Sequence, residues 1–415
     1  MDLIIRNGID MDGSPIEIGI DKGKIIALGK SGILVDQTSD KSQVIDAGGK
    51  LVIPPFVDPH IHLDKVNIVD VVRPNDSGTL TEAIEIIWEK KKQYTTEDIV
   101  DRASRVVEKA IANGTLHMRT HVDVDTIGGL KPLEGVLALK KKYAHVLDLQ
   151  IVAFPQEGIL KDPGCEALMW KAVEMGADVV GGMPANENSP EDSQRHVDIC
   201  FEIATAFDVD IDMHVDETDD PFYRTLEMVA DASLKAGWHG RVTAGHTCAL
   251  AAYDDHYARY VMDKVKTAGM HMITNPVTNL MLQGRLDKQP IRRGITRVKE
   301  LLERDITVSF GQDCVRDTFY PFGSADMLQV GLITAHAAQL SLPYERRKVA
   351  EMMTYDAAKI MGLVGYGLEV GKAANLVILD ASTMDEAIAL QPVRHYVIRD
   401  GKVIAESRVE RTLSL

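Results

Sequence analysis

The sequence predicts an α/β protein: a (β/α)8 TIM-like barrel carrying a small β-sandwich domain built by both chain ends. Three observations predict it. Between residues 56 and 366 short apolar runs alternate with helical stretches, strand-like and turn-rich texture is confined to the two ends, and polar side chains recur where the central runs finish. A chain of 415 residues also exceeds one ordinary domain and suits a barrel of about 250 residues with additions.

At the N-terminal end, Leu3-Ile4-Ile5, Ile16-Glu17-Ile18-Gly19-Ile20, Lys24-Ile25-Ile26-Ala27-Leu28 and Val44-Ile45-Asp46 read as short strands. Asp12-Gly13, Asp21-Lys22-Gly23 and Ala47-Gly48-Gly49 separate them as turns, which predicts an antiparallel segment. The same texture returns at 374–380, 393–399 and Lys402-Val403-Ile404, where Asp400-Gly401 between apolar runs is a hairpin signal. Neither piece has enough strands for its own core. One small domain from residues 1–55 plus 367–415 is therefore expected, with the barrel at 56–366.

Within the barrel segment the apolar runs lie at 149–154, 179–182, 210–214, 242–246, 272–275 and 307–311. Helical stretches at 96–113, 164–175, 193–207, 221–236, 254–268 and 295–304 space them. Repeated strand–helix units imply parallel strands joined by crossover helices. His60, His62, His121, Gln156, His214, His246, Asn275 and Asp313 sit at or just beyond the ends of runs, the face where barrel enzymes keep their chemistry.

Charge and cysteine usage narrow the partners. With 46 Lys+Arg against 62 Asp+Glu the formal net charge is −16, which argues against a broad nucleic-acid face and for a small-molecule partner. The four cysteines, Cys165, Cys200, Cys248 and Cys314, form no CxxC pair, so neither a disulfide framework nor a thiolate zinc site is expected. The first residues lack the pattern of a signal peptide and no run of about 18 apolar residues occurs, so the expectation is a cytoplasmic protein with no membrane partner.

His60-Ile61-His62 follows an apolar run, and residues i and i+2 of a strand face one side, so both imidazoles can reach one point. A divalent metal suits such a pair, provided further His or carboxylate ligands exist and one position stays open for water. Two half-buried strand histidines are the plainer alternative. His214, His246 and Asp313 end later runs, and four strand ends bearing such groups favour the metal. His121 reads as a support or pocket-wall residue. His117, His145, His196, His239, His256, His271, His336 and His395 read as structural, and the seventeen methionines as core filler. Lys140-Lys141-Lys142 and Glu89-Lys90-Lys91-Lys92 read as solvated helix faces.

On these residues the chain resembles the amidohydrolase superfamily, with Pro59-His60-Ile61-His62 after the first barrel strand, histidines ending the fifth and sixth, and an aspartate ending the eighth. Within it the chain is most similar to bacterial cytosine deaminases through residues 51–57, 119–124, 151–160, 282–285 and 292–300. The resemblance implies one divalent metal ion per subunit, zinc or ferrous iron, held by His60, His62, His214 and Asp313. It implies that His246 orients and helps deprotonate a metal-activated water, that Asp313 takes its proton, and that Glu217 passes a proton to a ring nitrogen and on to the leaving amine. Gln156 matches the glutamine that binds the amide edge of the pyrimidine. A homo-oligomer is implied as well. No lysine stands where a bridging carboxylated lysine is expected, which favours one metal over two.

Two departures bear on the substrate. Cytosine deaminases of this kind carry a second aspartate and a tryptophan where this chain has Cys314 and Phe319, both read here as substrate-binding. Lys65 in His62-Leu63-Asp64-Lys65 is similar to the HxHxDK of the triazine-pathway isopropylammelide hydrolases. Cys314 has no assignable base and does not read as a nucleophile. The expectation is a metal-dependent aminohydrolase that deaminates a small cyclic amidine of cytosine or creatinine type and releases ammonia. Isocytosine or a 5-substituted cytosine is an alternative substrate, and hydrolysis of an N-substituted triazine or cyclic amide is an alternative reaction. A non-enzymatic barrel protein is disfavoured by the complete ligand set.

Overall fold

The computed structural model describes residues 1–30, 32 and 42–414. Five strands open the chain: β1 (Leu3–Ile9), β2 (Pro15–Asp21), β3 (Lys24–Gly29), β4 (Gln43–Asp46) and β5 (Leu51–Ile53). Eight follow with helices between them: β6 (Phe56–Ile61), β7 (Thr115–Asp123), β8 (Asp148–Phe154), β9 (Val179–Val180), β10 (Asp210–Val215), β11 (Val242–His246), β12 (His271–Thr274) and β13 (Val308–Phe310). The last three are β14 (Leu376–Leu379), β15 (Arg394–Arg399) and β16 (Lys402–Glu406).

Strands β6 to β13 pair in sequence order, each parallel to the next. Every residue of β6, β7 and β11 is buried, because side chains fill the inside of a barrel and helices cover the outside. The helix Thr96–Ala112 shows how the outer layer forms. Thr95 accepts from Asp98 N as its cap, and Ile99, Ala103, Val106, Val107 and Ala110 recur on one face and are buried. Closure comes at β6 and β13. The Asp313 amide donates to the His60 carbonyl over 2.7 Å, and the His62 amide donates to the Asp313 carbonyl over 3.0 Å. Gly311 makes that seam possible, since a Cβ there would lie 2.5 Å from both Cβ and the carbonyl oxygen of His60.

The end strands form the second sheet, in the order β16-β15-β14-β5-β1-β2-β3, with β4 also on β1. The expected antiparallel segment needs one correction. β1 pairs β4 and β5 in parallel, residues 3–6 against Gln43–Asp46 and Ile9 against Leu51, on the edge that β2 leaves free. Splitting that edge between two strands lets the sheet fold over a core of Ile5, Ile18, Ile20, Val52, Leu376 and Ile378, and a bridge from Lys24 to Ala373 ties β3 to the start of β14. Both chain ends thus share one apolar interior, giving the small sandwich. Arg399 on β15 donates to both oxygens of Asp148 at the start of β8, an ion pair between sheet and barrel at 2.9 and 3.0 Å.

Two local expectations differ. The helix expected from residue 221 begins at Thr225, because Asp220 turns the chain by accepting from Phe222 N, while the buried Asp216 accepts from Thr225 N and Leu226 N as the helix starts. Lys91, expected in solvent with its neighbours, is 1% exposed and lies 2.5 Å from Asp125 and 2.7 Å from Asp123. Carboxylates at the end of β7 and two residues past it draw it inward. Among the described residues no helix is long and apolar enough to cross a membrane.

Candidate active site

The C-terminal ends of the barrel strands bring six groups to one place. His60 lies in β6 and His62 just after it, His214 in β10, His246 at the end of β11, Asp313 three residues past β13, and Glu217 two residues past β10. Candidate ligand atoms of His60, His214, His246 and Asp313 all lie within 4.8 Å of one another. His62, the remaining expected ligand, is not in that group, which takes in His246 instead; its Nε2 lies 3.1 Å from His214 Nε2 and 3.3 Å from Asp313 Oδ1. His246 and Asp313 both adopt positive φ, 66° and 58°, conformations that cost of the order of 1–3 kcal/mol in ordinary residues and cluster at functional sites.

The electrostatics of this cluster fit a cation. Both nitrogens of His60, Nδ1 of His62, Nδ1 of His214 and Oδ2 of Asp313 are buried with no hydrogen-bond partner among the described residues. Such groups are expensive to leave unpaired. Burial, reinforced by Lys65, lowers His62 to about 4, and burial with His246 and His60 holds His214 well below its ordinary value, so both imidazoles are neutral. Burial acts against charge on Asp313, but His246 and then His60 and His62 outweigh it and keep the carboxylate ionised. Neutral imidazoles with a carboxylate are the donor set that zinc and ferrous ions take.

His246 also joins the cluster to Glu217. His246 Nδ1 is 3.1 Å from Glu217 Oε1, and Asn279 touches both, its Nδ2 donating to Glu217 Oε1 over 2.8 Å and its Oδ1 lying 3.2 Å from His246 Nδ1. Burial disfavours charge on His246, yet Glu217 and then Asp313 raise it to about 9. Asn275 Nδ2 lies 3.1 Å from the other His246 nitrogen, which leaves the ring little freedom.

An inner cavity of about 20 Å³, room for a water or an ion, is lined by His62, Phe154, Gln156, His214, Glu217, His246, Thr278, Asp313, Cys314 and Phe319, with Leu80, Ile84, Met183 and Leu282. It gives way to a vestibule of about 630 Å³ that shares Leu80, Met183, His214, Glu217 and Leu282. All three residues expected to contact substrate, Gln156, Cys314 and Phe319, are in this wall, as are the expected proton carriers. His60 is wholly buried and lies outside the lining, with the His121 ring tilted against it at 4.1 Å between centres. His121 is therefore a support beneath His60 and does not form the pocket wall. Burial and the neighbouring Asp313 and Asp317 push the Cys314 thiol well up, which keeps it protonated and unreactive.

Sequence reasoning missed several supports. Asp58 accepts from the amides of Gln312 and His60 and so ties the two sides of the seam, and burial raises it to about 7. An acid inside an apolar strand run was its only signal. Asp317 accepts from the amides of Phe319 and Tyr320, shaping the loop that presents Phe319, and burial raises it to about 7. Asn279 carried no signal beyond its place four residues after a strand-end asparagine. His196, read as structural, pairs with Glu187 at 2.7 Å and accepts from the Met183 amide, fixing one wall of the vestibule.

Comparison with known proteins places this geometry. The pattern of a family described as the amidohydrolase family matches residues 43–405. The structure of 5-methylcytosine deaminase from Klebsiella pneumoniae liganded with 5-fluorocytosine is 38% identical, covers 99% of both chains and superposes with a TM-score of 0.95. N-isopropylammelide isopropyl amidohydrolase of Pseudomonas sp. is 33% identical over 98% of this chain and 98% of its own. Pterin deaminase of Rhizobium rhizogenes is 31% identical over 86% of this chain and 81% of its own.

Proposed function

Because the chain belongs to the amidohydrolase family, we propose that it deaminates a small cyclic amidine of cytosine type, cytosine itself or a 5-substituted cytosine, with release of ammonia. It is a hydrolase acting on carbon–nitrogen bonds. The observation that carries the proposal is the set of buried, unpartnered nitrogens of His60, His62 and His214 with Asp313 Oδ2, lying against a cavity walled by Glu217 and Gln156.

His60, His62, His214 and Asp313 would hold one divalent ion per chain, zinc or ferrous iron. When bound, such an ion acts as a Lewis acid and makes water nucleophilic near neutral pH. The protein supplies the rest. Asp313 Oδ2, free of hydrogen-bond partners among the described residues, takes a proton from the attacking water, and His246 orients that water while paired to Glu217. Glu217, held by Asn279, carries the water's other proton to the ring nitrogen beside the attacked carbon, and the proton on Asp313 then passes by way of Glu217 to the departing amino group. The carbon–oxygen bond forms, the carbon–nitrogen bond breaks, and the products are a ring carbonyl and ammonia. Gln156, Cys314 and Phe319 bind the ring. The barrel is assigned to residues 56–366 and the small domain to 1–55 with 367–415, and the enzyme acts in the cytoplasm as a homo-oligomer with no nucleic-acid partner.

Ammonia release by zinc- and iron-loaded protein, with cytosine, 5-methylcytosine, isocytosine and creatinine side by side, tests the proposal. Turnover of a cytosine supports it, and silence on all four despite bound metal overturns it. A second reading, removal of an alkylamine from an N-substituted triazine, is favoured by the 33% identity to N-isopropylammelide isopropyl amidohydrolase. Release of an amine in place of ammonia would select it.

A further inference from the structure

Lys65 has no part in the steps above, yet it is 1% exposed at the edge of the site. Its Nζ donates to Asp123 Oδ1 over 2.5 Å and to Gln156 Oε1 over 2.9 Å. The same Nζ stands 5.7 and 5.8 Å from the ring centres of Phe154 and Phe319, two walls of the inner cavity. It cannot swing away, because Asp123 is itself clamped through its other oxygen by Lys91 at 2.7 Å, and Lys91 is held in turn by Asp125 at 2.5 Å. Burial opposes charge on Lys65, but Asp123 and Asp64 outweigh it and keep the ammonium protonated.

An ammonium offers donors and no acceptor, so the Gln156 atom that faces it has to be the oxygen. Rotating the amide by half a turn would set N–H against N–H in a dry site, at the cost of an unpaired buried group. Gln156 Nε2 is left with one long contact, 3.5 Å to Glu157 Oε1. At least one of its hydrogens is therefore free to meet a ligand.

We propose that Lys65 is a positioning residue that locks the polarity of the Gln156 amide, so that this wall presents an N–H donor and selects rings carrying a carbonyl oxygen on the facing edge. The proposal rests on the reading that Gln156 contacts the substrate ring. It makes Lys65 a determinant of specificity that acts through Gln156, without contact to the reacting atoms.

The test is a double-mutant cycle of Lys65→Met and Gln156→Ala, with cytosine and 4-aminopyrimidine, the same ring without the oxygen, as substrates. Uracil binding by calorimetry is the readout that needs no turnover. Lys65→Met is expected to raise KM for cytosine and Kd for uracil about tenfold, the size of one hydrogen bond, with kcat nearly unchanged and 4-aminopyrimidine little affected. In the Gln156→Ala background it is expected to add nothing. Additive losses, or equal losses with both substrates, overturn the proposal and reduce Lys65 to packing. Should Lys65→Met not fold, Gln156→Glu keeps Lys65 paired while presenting an oxygen in place of the N–H. It is expected to lose cytosine more than 4-aminopyrimidine, and an unchanged ranking overturns the lock. Wild-type protein that binds uracil but releases no ammonia overturns deamination alone, additive variants of an active enzyme overturn the lock alone, and wild-type protein that does neither overturns both.

Discussion

The amide of Asp313 donates to the carbonyl of His60 over 2.7 Å, so the bond that closes the barrel joins two residues of the candidate metal cluster. Barrel closure and metal affinity are therefore linked, and Gly311 is the place to separate them. A methyl group at that position meets His60 Cβ and its carbonyl at 2.5 Å, with Asn275 Oδ1 at 2.9 Å. Gly311→Ala is expected to destabilise the fold by about 1–3 kcal/mol, the usual cost of overpacking, and to lower metal content after purification. Denaturant midpoints and elemental analysis read the two effects, and a variant with normal metal and normal midpoint contradicts the linkage.

In the proposed function Asp313 has two duties, one per oxygen. Oδ1 lies 3.3 and 3.6 Å from His62 and His60, while Oδ2 has no hydrogen-bond partner among the described residues. Asp313→Asn keeps the size but removes the charge and the proton acceptor. Turnover is expected to vanish and metal binding to weaken, measured by ammonia release and by competition with a chelator. Retained activity would take Asp313 out of the mechanism.

Glu217 is separable from the metal in a way Asp313 is not. Its carboxylate meets His246 and Asn279, and among the described residues no hydrogen bond or ion pair joins it to His60, His62, His214 or Asp313, the four that would hold the ion. Glu217→Gln can keep one contact to this pair while losing the transferable proton. The expected result is near-normal metal content with turnover lower by about 10²-fold or more, the scale of a general acid–base contribution. Equal losses of metal and activity would make Glu217 a structural support.

The strand period and the positions of His60, His62, His214, His246 and Asp313 made the barrel and the cluster legible in the sequence, because strand ends mark where a barrel presents side chains. The supports were not legible for a physical reason. Lys91 sits in a run of charges that looks solvated, and only the fold reveals that Asp123 at the end of β7 and Asp125 just past it draw it in. Asp58, Asp317 and Asn279 act by accepting or donating single hydrogen bonds across the chain, and a one-dimensional pattern does not record which donor arrives. The parallel pairing of β1 with β4 was hidden likewise, since turn residues announce hairpins but not returns to a distant edge.

Docking of the small sheet on the barrel should depend on acid. Burial acts to raise Asp148, but His117 and then Arg399 outweigh it and depress the carboxyl below its ordinary 3.8. A carboxyl depressed in the folded state stabilises fully above its unfolded value and loses that stabilisation as pH falls towards the folded one. The contribution of the Asp148 carboxyl is therefore expected to be fully present down to about pH 5, and thermal midpoints to fall below about pH 4. Asp148→Asn should lower the midpoint at neutral pH and shrink the acid-dependent drop. The side chain is partly exposed, so the effect should weaken in high salt. A wild-type acid limb that survives Asp148→Asn unchanged would assign the dependence elsewhere.

Cys314 offers the sharpest handle on ring preference. It lines the inner cavity beside Asp313, its Sγ 3.7 Å from Oδ1, and burial with the flanking Asp313 and Asp317 keeps it a neutral thiol. A thiol is a weak donor with a soft, bulky sulfur, whereas a carboxylate is a strong acceptor that demands a donor or a cation from whatever it faces. Cys314→Asp therefore changes the hydrogen-bond pattern this wall can accept and adds charge next to Asp313. Its kcat/KM ratio for cytosine over 5-methylcytosine is expected to rise by about tenfold or more, the value of one recognised polar contact, with the absolute rates lower for both. Metal content measured on the same preparations separates a change of preference from a damaged cluster. If the ratio stays at the wild-type value while metal is retained, Cys314 only packs the wall, and discrimination must come from Phe319 and the loop that Asp317 holds in place.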